Sequence, residues 1–427
     1  MSGPALIFDK SALESFSADE CMWLENFYTT NITPLFFVET LADLEKEVRS
    51  GRTPEDVVGT IAHKTPDMGC VNAHHRNLIA GELMQKGKIK MDGRPLLSGG
   101  RTVELEGKMG VIFQESPEVE ASKRWEKKQF LEIERTIAKG WRKELALMGQ
   151  EDLTSFEKIF EVMGKPKTFK ELKEKVDLMI EEKTGKTLLD FGMMLMGVMP
   201  ETRGEVIKLW EADGSKPIRE YAPYFTFVFS VDLLFYIGTA GKFFNQFPHP
   251  QTHKVDMAYL YYLPFCKIFT SGDKLHIALA PIFMESDQTF LSGADLKADF
   301  TKLDAHYDLL PDEVKNRGSV VFAPCPPDDL SFLTTKMWDK YMSKTWRKIK
   351  DRTRKFDGTD KVDPEIEKAL LEKLKKFAKE SKTVSSDKLP DSDEADSMMT
   401  SHMVSTRKGK WKKFPPEVLN SNKRILD

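Results

Sequence analysis

Two acidic residues that flank one short apolar stretch constrain the fold of this chain most strongly. Asp256 opens the apolar run MAYLYYLPF, and Asp273 follows the run KIFTS by one residue. An acid at the start of a buried helix and an acid after a buried strand can converge on one point. Because converging carboxylates repel one another, they usually exist to hold a metal ion.

The N-terminal region places two further acids after apolar runs. Asp9 follows ALIF, and Glu39 follows PLFFV. In a doubly wound sheet the carboxyl ends of the parallel strands line one edge, where ligands bind. We therefore expect Asp9, Glu39, Asp256 and Asp273 to form one cluster at that edge. Clustered carboxylates suit hard cations, so the sequence predicts an Mg²⁺ or Mn²⁺ site.

Short strands alternate with helices at the start of the chain and again beyond residue 221. Residues 5–8 have the pattern of a buried strand, and Ser17 with Glu20 forms a capping box that begins a helix. Such alternation predicts an α/β fold, a Rossmann-like parallel sheet flanked by helices. Between the two regions the alternation stops, which indicates a large, mostly helical insertion.

These patterns divide the chain into five regions. The predicted ranges are 1–51 and 219–304 for the two parts of the α/β core, 52–218 for the insertion, 305–349 for an extension that packs on the core, and 350–427 for a charged tail. Few large apolar residues occur in 384–403, so we predict that this part of the tail is disordered. Within these regions we predict a hairpin at 101–113, one amphipathic helix at 122–148 and an edge strand at 319–327.

Membrane insertion and secretion are not expected for this chain. The first apolar segment, PALIF, is too short for a secretory signal and runs directly into Asp9 and Lys10. The most apolar segment, 224–242, contains Asp232, and we predict that it forms a buried helix. Four scattered cysteines form no CxxC pair, so we expect a reducing, cytoplasmic environment.

The acidic motifs resemble those of PIN-domain nucleases. The segment LIFDKSALESF is similar to the family's opening strand and helix, ITPLFFVETLADL to its second acidic motif, and VDMAYLYYLPFCKIFTSGDKLH to its paired third and fourth acids. On this resemblance Asp9, Glu39, Asp256 and Asp273 match the four metal-binding acids, and Ser11 and Ser271 match the hydroxyl positions beside them. The stretch between the second and third acids is far longer here than in compact PIN domains.

The resemblance implies a metal-dependent nuclease. Most members of the family cut RNA, so an endoribonuclease with Mg²⁺ or Mn²⁺ is the first expectation. Some relatives cut structured DNA, which makes a structure-specific DNA nuclease the first alternative. The second alternative is a nuclease-derived scaffold that binds nucleic acid or protein without cleaving either.

Other interpretations of the acids remain open at the sequence level. Asp is favoured at helix N-termini, so Asp9 and Asp256 can be simple caps. Asp43 lies one turn after Glu39, and it either joins the metal site or is solvated. Asp232 is an alternative third acid.

Basic residues mark three candidate contacts for nucleic acid. The segment 123–143 has a basic face that includes Lys127, Lys128 and Arg135, although interspersed glutamates dilute its charge. Lys274 follows Asp273 directly and can contact a phosphate. The tail motif RKGKWKKF can bind nucleic acid, a protein partner or nothing, and the insertion is a second candidate surface for a protein partner.

Overall fold

A computed structural model describes most of the chain outside the tail. The described residues are 3–48, 51–67, 69–105, 107–113, 116–148, 153–182, 185–247, 253–347, 380, 382–384 and 407–414. The segment predicted to be disordered, 384–403, lies outside these residues except for Val384.

The described structure contains a five-stranded parallel sheet, a three-stranded antiparallel sheet and a two-stranded hairpin. The strands are β1 (Ala5–Phe8), β2 (Thr29–Ile32), β3 (Cys70–Val71), β4 (Gly100–Leu105), β5 (Lys108–Phe113), β6 (Ile268–Ser271), β7 (Thr289–Ser292), β8 (Lys382–Thr383), β9 (Arg407–Lys408) and β10 (Trp411–Lys412). The five-stranded sheet has the order β3-β2-β1-β6-β7, with every neighbouring pair parallel. This confirms the prediction of an α/β fold with a parallel, Rossmann-like sheet flanked by helices.

Helices account for most of the remaining described structure. They are α1 (Lys10–Ser15), α2 (Ala18–Phe27), α3 (Pro34–Val48), α4 (Pro54–Lys64), α5 (His75–Leu83), α6 (Pro117–Glu126), α7 (Glu132–Met148), α8 (Thr154–Val162), α9 (Phe169–Glu182), α10 (Lys186–Leu195), α11 (Pro200–Ala212), α12 (Ile218–Tyr221), α13 (Pro223–Ala240), α14 (His253–Tyr259), α15 (Lys274–Phe283), α16 (Gly293–Asp308), α17 (Asp312–Lys315), α18 (Ser319–Phe322) and α19 (Leu333–Tyr341). A 3₁₀ helix, Leu260–Phe265, joins α14 to β6.

Both faces of the parallel sheet are covered, because the central strands β1 and β6 carry apolar residues on both sides. Ile7 and Phe269 belong to one hydrophobic core, which α9, α13 and α15 complete. Leu6, Phe8 and Ile268 belong to a second core on the opposite face, with α1, α2 and α16. The near-continuous apolar runs of β1 and β6 are what a parallel strand buried on both faces requires.

The order of the strands creates a switch point between β1 and β6. From β1 the chain moves outward through β2 and β3, and it later returns to add β6 and β7 on the other side. Helices that leave neighbouring strands on opposite sides of such a point diverge and leave a crevice at the carboxyl ends of the strands. Asp9 and Ser271 lie at this edge of the sheet.

Four details of the sequence prediction need correction. The predicted helix 122–148 is two helices, α6 and α7, and Lys128 between them has a positive φ of 55°. Strand β3 lies inside the range predicted as an insertion, so the first part of the sheet extends beyond residue 51. The predicted edge strand 319–327 contains the short helix α18 instead. The helix predicted to open at Asp256 begins at His253.

The apolar helix α13 is buried in the protein. Among the described residues it is the one helix long and apolar enough to cross a membrane, and 78% of that stretch is buried inside the structure. It supplies much of one hydrophobic core. The placement agrees with the predicted buried helix.

The basic tail motif folds into a hairpin that docks on the chain's own core. Lys408 and Lys413 are almost fully buried and form ion pairs with Glu25 and Asp67. Trp411 packs edge-to-face on Trp23 with ring centroids 4.9 Å apart. The most buried side chains of this motif, Lys408, Trp411 and Lys413, therefore contact other parts of the same chain.

One residue of the tail hairpin has to be glycine. Gly409 has φ of +58°, and a side chain there would collide with Asp19, whose carboxylate accepts a hydrogen bond from the Lys410 amide at 2.7 Å. The backbone thus approaches α2 too closely for any larger residue.

We expect Trp411→Ala to lower the free energy of unfolding by about 3–5 kcal/mol, since the substitution empties a buried aromatic site. Trp411 is 3% exposed, and its indole nitrogen donates to Asp304 at 2.6 Å. Urea unfolding followed by circular dichroism measures the change. Lys410→Ala is the matched control: it removes a half-exposed ion pair of the same hairpin and should cost less than about 1 kcal/mol. Equal stability of Trp411→Ala and the wild type would show that the hairpin is not docked.

Candidate active site at the sheet edge

Asp9 joins the ends of the two central strands. It follows β1, and its amide donates to the carbonyl of Thr270 in β6 at 3.3 Å. From β6, the Ser271 hydroxyl donates to Asp9 Oδ2 at 2.6 Å. The Asp9 side chain also accepts from the Ala12 amide at 2.8 Å, so it caps helix α1. Capping and the predicted role in metal binding use the same carboxylate.

His276 lies beside Asp9, although the sequence analysis did not identify it. Its Nδ1 is 2.8 Å from Ser271 Oγ and 3.3 Å from Asp9 Oδ2. Its Nε2 lies 2.8 Å from the carbonyl oxygen of Asp256. Burial alone would lower the pKa of His276, but the Asp9 carboxylate and then Asp256 outweigh it and raise the pKa to about 9. At neutral pH the imidazolium therefore neutralises part of the acidic cluster.

Glu39 lies in the second turn of α3, which begins at Pro34. Its carboxylate accepts a hydrogen bond from the Tyr259 hydroxyl at 2.6 Å. Burial is the largest cause that raises the pKa of Glu39, and the carboxylates of Asp9 and Asp256 add to it. Against the lowering effects of Tyr259 and Lys10, the pKa rises to about 8. Three acids from distant parts of the chain are therefore close enough to repel one another.

Lys10 provides a second positive charge next to the cluster. Its ammonium group is buried, lying 2.9 Å from Asp43 Oδ2 and 3.1 Å from Glu14 Oε1. Burial lowers the pKa of Lys10, but the charges of Asp43, Glu14 and Glu39 raise it more. The sequence left two roles open for Asp43, a metal ligand or a solvated residue. In the structure Asp43 forms an ion pair with Lys10.

Asp273 has a different environment from the other acids. It is half-buried, and it caps α15 by accepting from the Leu275 amide at 2.6 Å. Its own amide donates to Ser271 Oγ at 2.9 Å, which ties it to the residue that holds Asp9. Asp232, the alternative third acid, lies elsewhere and pairs with Lys254 in the core.

The predicted metal site is only partly assembled. Asp9, Glu39 and Asp256 come together, and Asp273 follows at the same edge of the sheet. Among the described residues, no group of three or more His, Cys, Asp or Glu side chains has the geometry to hold a metal ion as it stands. The charges of Asp9 and Asp256 nevertheless add to the effect of burial in raising the pKa of Glu39. The three acids therefore repel one another, and a divalent cation would relieve this repulsion.

The predicted substrate-binding residues fall in three places. Ser11 and Lys274 are exposed at the edge of the sheet, and the Ser11 hydroxyl donates to the Asp9 carboxylate at 2.9 Å. Ser271 is buried, donates to Asp9 and lies beside His276. Lys128 forms an exposed ion pair with Asp56 at 2.9 Å. Lys127 is exposed at the end of α6, and Arg135 is half-buried in α7. Helix α7 packs on α3 and α14, which carry Glu39 and Asp256.

Comparison of the chain with protein-family models, curated proteins and solved structures finds no significant match. The functional argument therefore stands on the residues and their geometry.

We expect the wild type to lose stability relative to Glu39→Gln as the pH rises from about 5 to 8. A carboxyl whose pKa is raised on folding binds its proton more tightly in the folded state, so its contribution to stability is lost as pH rises through its folded pKa. For Glu39 that pKa is about 8. Urea unfolding of both proteins at pH 5, 6.5 and 8 measures the difference. Parallel stability curves for the two proteins would contradict the burial of the Glu39 carboxyl beside the other acids.

Proposed function

We propose that the chain is a metal-dependent phosphodiesterase that cleaves nucleic acid, with RNA the first candidate substrate. The observation that carries this proposal is the crowding of Asp9, Glu39 and Asp256 at the switch point of a parallel sheet, where burial, and to a lesser extent the charges of Asp9 and Asp256, raise the pKa of Glu39. Uncompensated carboxylates at a ligand-binding edge favour a divalent cation. The similarity of the four acidic motifs to PIN-domain nucleases supports the same reading.

The acids would hold Mg²⁺ or Mn²⁺ through their oxygens. Asp9, Glu39 and Asp256 are the primary candidates. Asp273 is a fourth candidate, because its amide donates to Ser271, the residue that donates to Asp9. When bound, such an ion supplies a Lewis acid and lowers the pKa of a bound water.

The surrounding side chains keep the acids in position. Ser271 orients the Asp9 carboxylate, and Tyr259 orients that of Glu39. Lys10 and His276 lower the total negative charge, so that the acids can remain together without a bound cation. His276 also holds the backbone of Asp256, because its Nε2 donates to that carbonyl oxygen.

Asp9 is buried, so a phosphodiester would approach it past the exposed neighbours Ser11 and Gly272. The Gly272 amide donates to Ser11 Oγ at 3.3 Å. Lys274 is exposed on the first turn of α15 and would contact a phosphate oxygen. Ser11 and Lys274 are therefore the proposed substrate contacts, while Ser271 is a positioning residue.

We expect Asp9→Asn to reduce Mn²⁺-dependent cleavage by on the order of a hundredfold or more, because it removes a charged ligand from the centre of the cluster. Asparagine is as good an N-cap as aspartate, so α1 should keep its start. Cleavage of labelled single-stranded RNA in excess Mn²⁺ measures the effect. Asp312→Asn is the control, since Asp312 is 84% exposed and lies in the distant helix α17.

Three substrates compared side by side separate the candidate activities. Preference for single-stranded RNA over single-stranded DNA and flap DNA supports a ribonuclease. Preference for flap DNA supports the structure-specific DNA nuclease on the same acids. Absence of cleavage by the wild type on all three, or full activity in Asp9→Asn, would contradict the proposed chemistry and favour a binding scaffold.

A further inference from the structure

A row of polar residues crosses the carboxyl ends of all five strands of the parallel sheet. Ser271 pairs with Ser292 in the register of β6 and β7. In the registers of the neighbouring pairs, continued to the edge of the sheet, Asp9 lies beside Ser271 and Thr33 lies beside Asp9. Asn72 follows on the far side of Thr33. The acidic edge therefore includes a threonine that the sequence analysis did not identify.

The alternation of side chains places Thr33 on the same face of the sheet as Asp9. Successive residues of a strand point to opposite faces. Phe8 and Ile32 both belong to the hydrophobic core on the side of α2. Asp9 and Thr33, which follow them, therefore face the other side, where α14 packs. Register and alternation thus agree that Thr33 lies on the side that carries the acidic cluster.

Thr33 differs from the rest of the row in its hydrogen bonds. The other four side chains each bond to a described residue. Thr33 is 0% exposed, and its hydroxyl has no hydrogen-bond partner among the described residues. A threonine directly before a helix usually caps it with the hydroxyl, but here the Thr33 carbonyl accepts from the Phe36 amide at 3.1 Å. Since a buried hydroxyl without a partner costs stability, Thr33 points to a bound ligand.

We propose that Thr33 is a positioning residue of the acidic site, and that its hydroxyl accepts a hydrogen bond from a water molecule beside the bound cation. This inference rests on the proposed function, because it needs the cation that Asp9, Glu39 and Asp256 would hold. A water molecule is small enough to reach so buried a hydroxyl, whereas a phosphodiester is not. Groups that orient the surroundings of a metal in this way typically contribute about 10–100-fold to its affinity or to activity.

Two threonines of equal burial test the proposal on the full chain. Thr270 is also 0% exposed with an unpaired hydroxyl, but it shares the face of Ile268, opposite to Thr33. Only its backbone carbonyl contacts Asp9. In calorimetric titrations at pH 7 we expect Thr33→Val to bind Mn²⁺ about tenfold more weakly than the wild type, and Thr270→Val to bind it within about twofold. Thr33→Ser keeps the hydroxyl and should restore the affinity.

Urea unfolding without metal separates a ligand contact from a bond within the chain. In excess chelator Thr33→Val should have the urea midpoint of the wild type or a higher one, because no internal hydrogen bond is lost. Thr334→Val is the contrast. Thr334 is equally buried, but its hydroxyl donates to Asp299 Oδ2 at 2.7 Å, so this variant should have a lower midpoint.

Four results would overturn the inference. They are wild-type Mn²⁺ affinity in Thr33→Val, equal losses of affinity in Thr33→Val and Thr270→Val, no recovery in Thr33→Ser, and a lowered midpoint of metal-free Thr33→Val. If the wild type binds Mn²⁺ and cleaves RNA while Thr33→Val matches it, this inference fails and the proposed function stands. If the wild type does not bind Mn²⁺, both fail together.

Discussion

Mutual repulsion among Asp9, Glu39 and Asp256 is the constraint on which the rest of the acidic edge depends. Each acid comes from a different segment of the chain, and the parallel sheet brings the segments together at one switch point. Carboxylates this close cannot all stay charged without compensation. Lys10, the imidazolium of His276 and the Tyr259 hydroxyl supply this compensation. Burial, with a smaller contribution from Asp9 and Asp256, still raises the pKa of Glu39 to about 8.

The short helix α14 connects this edge to the helical core. Asp256 faces the acidic cluster and the Tyr259 hydroxyl donates to Glu39, whereas Lys254 pairs with the buried Asp232. Residues two apart in a helix point in nearly opposite directions, so a helix of seven residues contributes to both places.

The sequence predicts the parts of this structure that local patterns encode. The apolar run before Asp9 predicts β1, and the capping box at Ser17 and Glu20 is present in α2. The pattern KIFTS predicts β6 and thereby brings Asp273 to the correct edge of the sheet. These inferences succeed because strand burial and helix capping depend on residues a few positions apart.

The remaining features depend on contacts between distant residues. Strand β3 has only two residues and is defined by its pairing with β2. His276 joins the acidic cluster through its contact with Asp9, which is far from it in the sequence. The buried lysines of the tail hairpin are explained only by Glu25 and Asp67 near the N-terminus. Local sequence patterns do not predict these contacts, because the two residues of each pair are far apart in the chain.

Calorimetric titration of Mn²⁺ in two buffers of different ionisation enthalpy tests the central claim most directly. If the acids form a cation site, the wild type binds Mn²⁺ saturably at pH 7 and releases protons, because Glu39 is largely protonated before the ion binds. The observed enthalpy then depends on the buffer, and Asp9→Asn abolishes the binding. Binding that is absent in the wild type, or equal in the wild type and Asp9→Asn, would contradict the account.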